Sequence, residues 1–135
     1  SKEGGSWLLL SPRSVINLNL MSISPLLDLT RAKEFAFEAD QLRELVVTFE
    51  QSLVQEMAII QAGLAAGDAL KVEHSLHALK GFMPLFATES LAQAMTDLYQ
   101  TSREKPLDVT GPIFTALVPS LETLLVEVRA CLSAL

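Results

Sequence analysis

Leu42, Leu45, Val46, Phe49, Leu53, Met57, Ile60 and Leu64 recur mainly at spacings of three and four, and no other feature of the chain constrains its fold so strongly. That spacing keeps one face of an α-helix apolar over many turns, whereas in a strand it would scatter the same residues over both faces. Asp40 stands near the start of the stripe, where the positive end of the helix dipole favours an acid. Gly67 predicts the end of this helix, and Asp68 the cap of the next. The second helix is expected from about Ala69 to Phe86, with Val72, Leu76, Leu79, Met83 and Phe86 inward. Thr88 then opens a third, with Leu91, Ala94, Met95 and Leu98 inward.

Arg103 to Pro112 reads as a loop, because Lys105-Pro106 and Gly111-Pro112 are breakers. The last helix carries Ile113, Leu117, Leu121, Leu124, Leu125, Val128 and Leu132, with Pro119 removing the bond to the Thr115 carbonyl. No alternation of strands and helices appears in this part of the chain. The expected fold is all-α, an antiparallel up-down four-helix bundle over residues 25–135 with a short extra N-terminal helix. Ser24-Pro25 predicts the start of that short helix, which draws on Leu26, Leu27, Leu29, Phe35 and Phe37.

Residues 1–24 read as a linker or cloning-derived segment. Ser1 to Ser6 have a flexible composition, and Ile16, Leu18 and Leu20 alternate with Asn17 and Asn19 in a strand-like period. Trp7-Leu8-Leu9-Leu10 begins like a secretory leader, but Ser11, Pro12 and Arg13 interrupt it at once. The longest unbroken apolar runs fall far short of the roughly 20 residues that cross a bilayer, so no direct membrane insertion is expected.

Half of the 135 residues are apolar, which suffices for one core and argues against wholesale disorder. The net charge of −6 argues against a nucleic-acid partner, since phosphate contacts need a basic face. Cys131 is the one cysteine, so no intrachain disulfide and no cysteine-based zinc site can form; it reads as a small core residue in a cytoplasmic, reducing setting.

The chemistry gathers in Glu73-His74-Ser75-Leu76-His77-Ala78-Leu79-Lys80-Gly81. At about 100° per residue, the apolar stripe of this helix centres roughly 130° from His77, which places the imidazole on an exposed flank. His74 and Gly81 fall to one side of it, Glu73 and Lys80 to the other. Lys80 is one turn on, within reach of a group attached to the ring. Gly81 is unexpected in a helix interior, where it costs about 1 kcal/mol relative to alanine, and it leaves room for another molecule to approach. An unperturbed imidazole titrates near 6.5, so its neutral form is available as a nucleophile at cellular pH. It can accept a phosphoryl group and release it again, with Lys80 balancing charge on the oxygens. The bland alternative is a solvated helix with two surface histidines.

His77-Ala78-Leu79-Lys80-Gly81 resembles the His-x-Leu-Lys-Gly signature of histidine phosphotransfer (HPt) domains, the carriers of two-component phosphorelays. The resemblance covers roughly residues 26–134. Leu27-Asp28-Leu29 is similar to the entry segment of such bundles. Phe49, the Ala65-Ala66-Gly67-Asp68 turn, Leu91 and Leu98 are similar to further family positions. The resemblance implies that His77 is the phosphoacceptor, that Lys80 assists the phosphoryl group, and that Gly81 gives a partner room. The implied partners are receiver domains, which supply the aspartate and the magnesium ion. The domain itself would need no cofactor and have no autokinase activity, and the chain carries no glycine-rich nucleotide loop. It would be a monomeric carrier, free-standing or part of a hybrid sensor kinase.

The chain departs from the family where Phe82, Met83 and Pro84 follow the glycine, and where Ala87 stands in place of a common glycine. These residues predict an apolar docking surface, with Pro84 exposed and the Lys80 carbonyl freed. His74 either lines the phosphoryl site or is a solvated surface residue. Two other functions remain as readings: a helical interaction domain that docks a receiver without transfer, and a metal-dependent enzyme using Glu73, His74 and His77. The second lacks a fourth ligand in sequence.

Overall fold

The structure, a computed structural model, describes residues 25–135. The linker expected over 1–24, with Trp7–Leu10, the Ile16–Leu20 alternation and Ser24, lies outside the described residues. The helices are α1 (Ala32–Phe35), α2 (Ala39–Ala66), α3 (Ala69–Phe86), α4 (Glu89–Glu104) and α5 (Leu107–Ala134). The last four pack in ring order, each against its two neighbours, and short α1 leans on α2. Contacts run antiparallel: Arg43 reaches the Leu132 carbonyl and Glu50 pairs with Arg129, while Gly111 lies by Leu64 at the other end of the same two helices. The all-α bundle expected from the periodicity is the observed fold.

Local chemistry sets the boundaries. Gly67 ends α2 at φ 70°, a left-handed conformation that costs glycine nothing. The Asp68 carboxylate caps α3 by accepting from the Lys71 N–H, and the Thr88 hydroxyl caps α4 by accepting from Leu91. Glu38 and Gln41 form a reciprocal capping box at the head of α2. The core follows the expected stripes: Val46, Leu53, Ile60, Val72, Leu76, Leu79, Met83 and Met95 are fully buried. Phe49 stacks on Phe86 at 4.3 Å between ring centroids and meets Phe82 edge-on at 5.5 Å.

Four expectations are corrected. The loop from Arg103 to Pro112 shrinks to Lys105 and Pro106, because α4 continues to Glu104 and α5 starts at Leu107. Pro112 and Pro119 both lie inside α5 on its exposed side, where water can take the carbonyls they leave unpaired. In the same helix Phe114, not Ile113, enters the core; Ile113 is 40% exposed. At the N-terminus the helix is only Ala32–Phe35, and Phe35 and Phe37 are exposed while the small Ala32 and Ala36 face inward. Cys131 is half-buried rather than in the core.

Leu26 to Asp28 form an extended strap instead of a helix. The Leu26 and Leu27 N–H groups both donate to one Glu127 carboxylate oxygen at 2.8 Å. The Asp28 N–H donates to Phe86 O at 2.8 Å, the Thr88 N–H donates to Leu26 O at 2.9 Å, and Leu27 bridges Ala87. These partners satisfy backbone groups that a helix would have paired internally. The Thr30 N–H and then its hydroxyl, with a smaller pull from Arg31, hold the Asp28 carboxyl below its ordinary value.

α5 is also long and apolar enough to cross a bilayer by length and composition, with a mean hydropathy of 1.5 in its best window. The expectation from short apolar runs missed this, because the polar residues of α5 are spread one or two at a time. Phe114, Leu121, Leu124 and Val128 direct part of that apolar character into the core, and Glu127 and Arg129 bond within the fold.

A helix-packing glycine gives the sharpest stability prediction. A Cβ built on Gly63 would lie 2.7 Å from Val72 Cγ2 on the facing helix. Val72 is fully buried and β-branched, so it cannot rotate away. Gly63→Ala should therefore lose up to about 2 kcal/mol net, because an overpacking cost of about 1–3 kcal/mol outweighs the helix-propensity gain of about 1 kcal/mol. Urea midpoints would show it; an unchanged or raised midpoint would mean that α2 and α3 separate freely near their turn.

Candidate functional site

His77 projects from the middle of α3 and is exposed, as the wheel requires. Leu76 and Leu79 on either side of it are fully buried, and these anchors fix the direction in which His77 points. Ser75, also buried, pins this stretch of α3 to α2 through its hydroxyl, which lies 2.6 Å from Glu56 Oε1 and 3.0 Å from Glu56 O. His74 is exposed one turn back. The ring that packs against His77 is not His74 but Tyr99, from α4, with centroids 5.2 Å apart and planes tilted by 51°.

Lys80 is half-buried, and its Nζ lies 5.3 Å from the centroid of the same Tyr99 ring. Arg103, one turn along α4, brings its Cζ to 5.9 Å from that centroid. The fold thus gathers His77, Lys80 and Arg103 around one aromatic ring in a chain of net charge −6. A local concentration of cations is what a developing anion needs.

Gly81 is exposed, and a Cβ built there meets nothing within 4 Å. It has neither the left-handed φ of Gly67 nor the close neighbour of Gly63. Among the described residues nothing requires a glycine at this position, and the side of α3 next to His77 is bare.

The residues after the glycine behave differently from expectation. Met83 is fully buried and supplies no docking surface, while Phe82 is half-buried with its ring edge-on to Phe49. Pro84 is half-buried instead of exposed, because α4 and the strap close over it. It lines a cleft of about 390 Å³ with Asp28, Arg31, Gln93 and Thr96 among the walls. Ala87 is buried and bridged to Leu27.

Among the described residues no group of three His, Cys, Asp or Glu side chains could hold a metal ion, so Glu73, His74 and His77 do not form such a group.

Sequence reasoning missed Tyr99 and Arg103. A signal for the first existed: His77 and Tyr99 lie equally far in sequence from Thr88, and antiparallel helices joined by a tight turn bring such residues side by side. Arg103 then follows one turn later on the same face. No protein-family model, no curated protein and no solved structure matches this chain.

Proposed function

We propose that this domain is a phosphorelay intermediate: His77 accepts a phosphoryl group from the aspartate of a receiver domain and passes it to another receiver. The observation that carries the reading is the neighbourhood of His77. An exposed imidazole stands on a rigid helix, a lysine lies one turn on, and beside it is a glycine that the fold does not require. Together with the His-x-Leu-Lys-Gly resemblance, this combination fits a nucleophile that a second protein must approach closely.

In the forward step a ring nitrogen of His77 attacks the phosphorus of the aspartyl phosphate. The nitrogen–phosphorus bond forms as the phosphorus–oxygen bond breaks, the aspartate leaves as carboxylate, and the imidazole proton passes to solvent. In the second transfer the aspartate carboxylate of another receiver attacks the phosphorus, the nitrogen–phosphorus bond breaks, and the His77 imidazole takes back a proton from solvent. The magnesium ion belongs to the receiver. The domain contributes position and positive charge, which are the main protein contributions in phosphoryl transfer.

Incubation with a phosphorylated receiver tests this directly. The domain should acquire a label that is acid-labile and base-stable, as a phosphoramidate on histidine is. Receiver binding with no label on the domain would favour the second reading, a helical module that only docks.

Lys80 separates electrostatics from docking. Lys80→Ala should slow transfer at saturating receiver by roughly tenfold, because a charge-assisted hydrogen bond to a phosphoryl oxygen is lost where the receiver excludes water. Affinity for unphosphorylated receiver, measured by calorimetry, should change little. Weakened binding with normal transfer at saturation would make Lys80 a docking residue.

A further inference from the structure

We infer that Tyr99 is a positioning residue of the transfer site: its ring orients the His77 imidazole and holds the Lys80 and Arg103 charges beside it until a phosphoryl group arrives. The inference rests on the phosphorelay reading of His77. Three side chains from two helices converge on this ring: the imidazole at 5.2 Å, the Lys80 ammonium at 5.3 Å and the Arg103 guanidinium at 5.9 Å. Neither cation is paired with a carboxylate among the described residues. Tyr99 is half-buried on α4, as Lys80 is on α3, while His77 and Arg103 are exposed.

Each contact has a physical consequence. A ring packed against the imidazole restricts its rotation and keeps one edge turned outward, which shortens the search for in-line attack. A cation near an aromatic ring is attracted by its quadrupole, but weakly where water reaches it. Charge-assisted hydrogen bonds to phosphoryl oxygens are stronger. Lys80 and Arg103 are therefore held close in the free protein and can move to the oxygens once the nitrogen–phosphorus bond forms. Tyr99 itself takes no part in bond making.

The test uses Tyr99→Leu, which removes the ring, and Tyr99→Phe, which keeps it. Phosphoramidate serves as a donor beside a phosphorylated receiver; it loses ammonia as His77 gains the phosphoryl group. In Tyr99→Leu the rate with phosphoramidate, and the saturating rate with receiver, should fall by roughly tenfold, with half-saturation unchanged and Tyr99→Phe within about twofold of wild type. In the free proteins the ring-current shift of the His77 ring protons should vanish in Tyr99→Leu and persist in Tyr99→Phe. Tyr99 is the one tyrosine in the chain, so its ring-proton signals report alone. They should move when wild-type protein is phosphorylated and the cations leave.

A Tyr99→Leu protein that reacts at the wild-type rate, or loses only receiver affinity, overturns the role of Tyr99 and leaves the phosphorelay reading standing. A wild-type protein that takes up no phosphoryl group from either donor overturns that reading and this role together. If Tyr99→Leu does not fold, a Tyr99→Phe protein slowed tenfold, or unmoved Tyr99 signals on phosphorylation, overturns the role.

Discussion

On the phosphorelay reading, replacing His77 with glutamine should abolish phosphoryl acceptance and leave stability within about 0.5 kcal/mol of wild type. The two halves of this expectation come from different observations. Loss of label follows because glutamine keeps polarity and approximate reach but has no nucleophilic nitrogen. Retained stability follows because His77 is exposed and the core side of α3 is held by Leu76, Leu79 and Met83, each fully buried. The ring contact given up is with Tyr99, at the surface. Phosphotransfer from a labelled receiver and thermal unfolding of the two proteins measure both halves. Label remaining on the variant would show that His77 is not the acceptor, and His74→Ala would then be the next variant to lose it. If His77 is the acceptor, His74→Ala keeps most of its label.

The second large effect is expected from Gly81→Leu. Transfer from a receiver should fall by roughly 100-fold or more, while the folded domain becomes more stable by about 1 kcal/mol. Leucine is a strong helix former, and a Cβ at position 81 meets nothing in the domain. The side chain would stand one turn from His77 where, on the proposed function, a receiver has to bring its phosphorus into line with the ring nitrogen. Stability and function should thus move in opposite directions, a combination that a structural role for the glycine cannot produce. Circular dichroism melts and rapid-quench labelling would show it. Normal transfer rates in the variant would mean that a partner approaches from another side, and the bare helix face would lose its functional meaning. Gly63→Ala is the contrast within the same protein, because there the fold itself uses the missing side chain and stability should fall.

The helices of the bundle were legible because they depend on local information. The stripe from Leu42 to Leu64 has one geometric solution, and Gly67, Asp68 and Thr88 act on backbone groups within a few residues of themselves. The exposure of His77 was legible for the same reason, since it is a property of angle along one helix. Where proline governs, local reading was weaker. Lys105-Pro106 does break the chain, but Gly111-Pro112 does not, because the carbonyl that Pro112 leaves free lies on the solvent side of a helix held by its other face. Burial within a stripe was also open to error: Ile113 and Phe114 are neighbours of similar character, and only the position of α2 and α4 decides which is covered.

By itself, then, the sequence determined the apolar stripes of α2, α3 and α4, the caps at Gly67, Asp68 and Thr88, the all-α class and the outward direction of His77, all consequences of spacing and nearest-neighbour hydrogen bonding. Tertiary structure decided the rest. It folded Leu26 to Asp28 into a strap, because the carboxylate that accepts from them, Glu127, is 100 and 101 residues away. It turned Phe35 and Phe37 outward and set half-buried Phe82 edge-on to Phe49. It brought Tyr99 and Arg103 from α4 to the flank of His77. In every such case the partner lies on another element, and its place depends on how whole helices pack against one another, which no single stretch of the chain encodes.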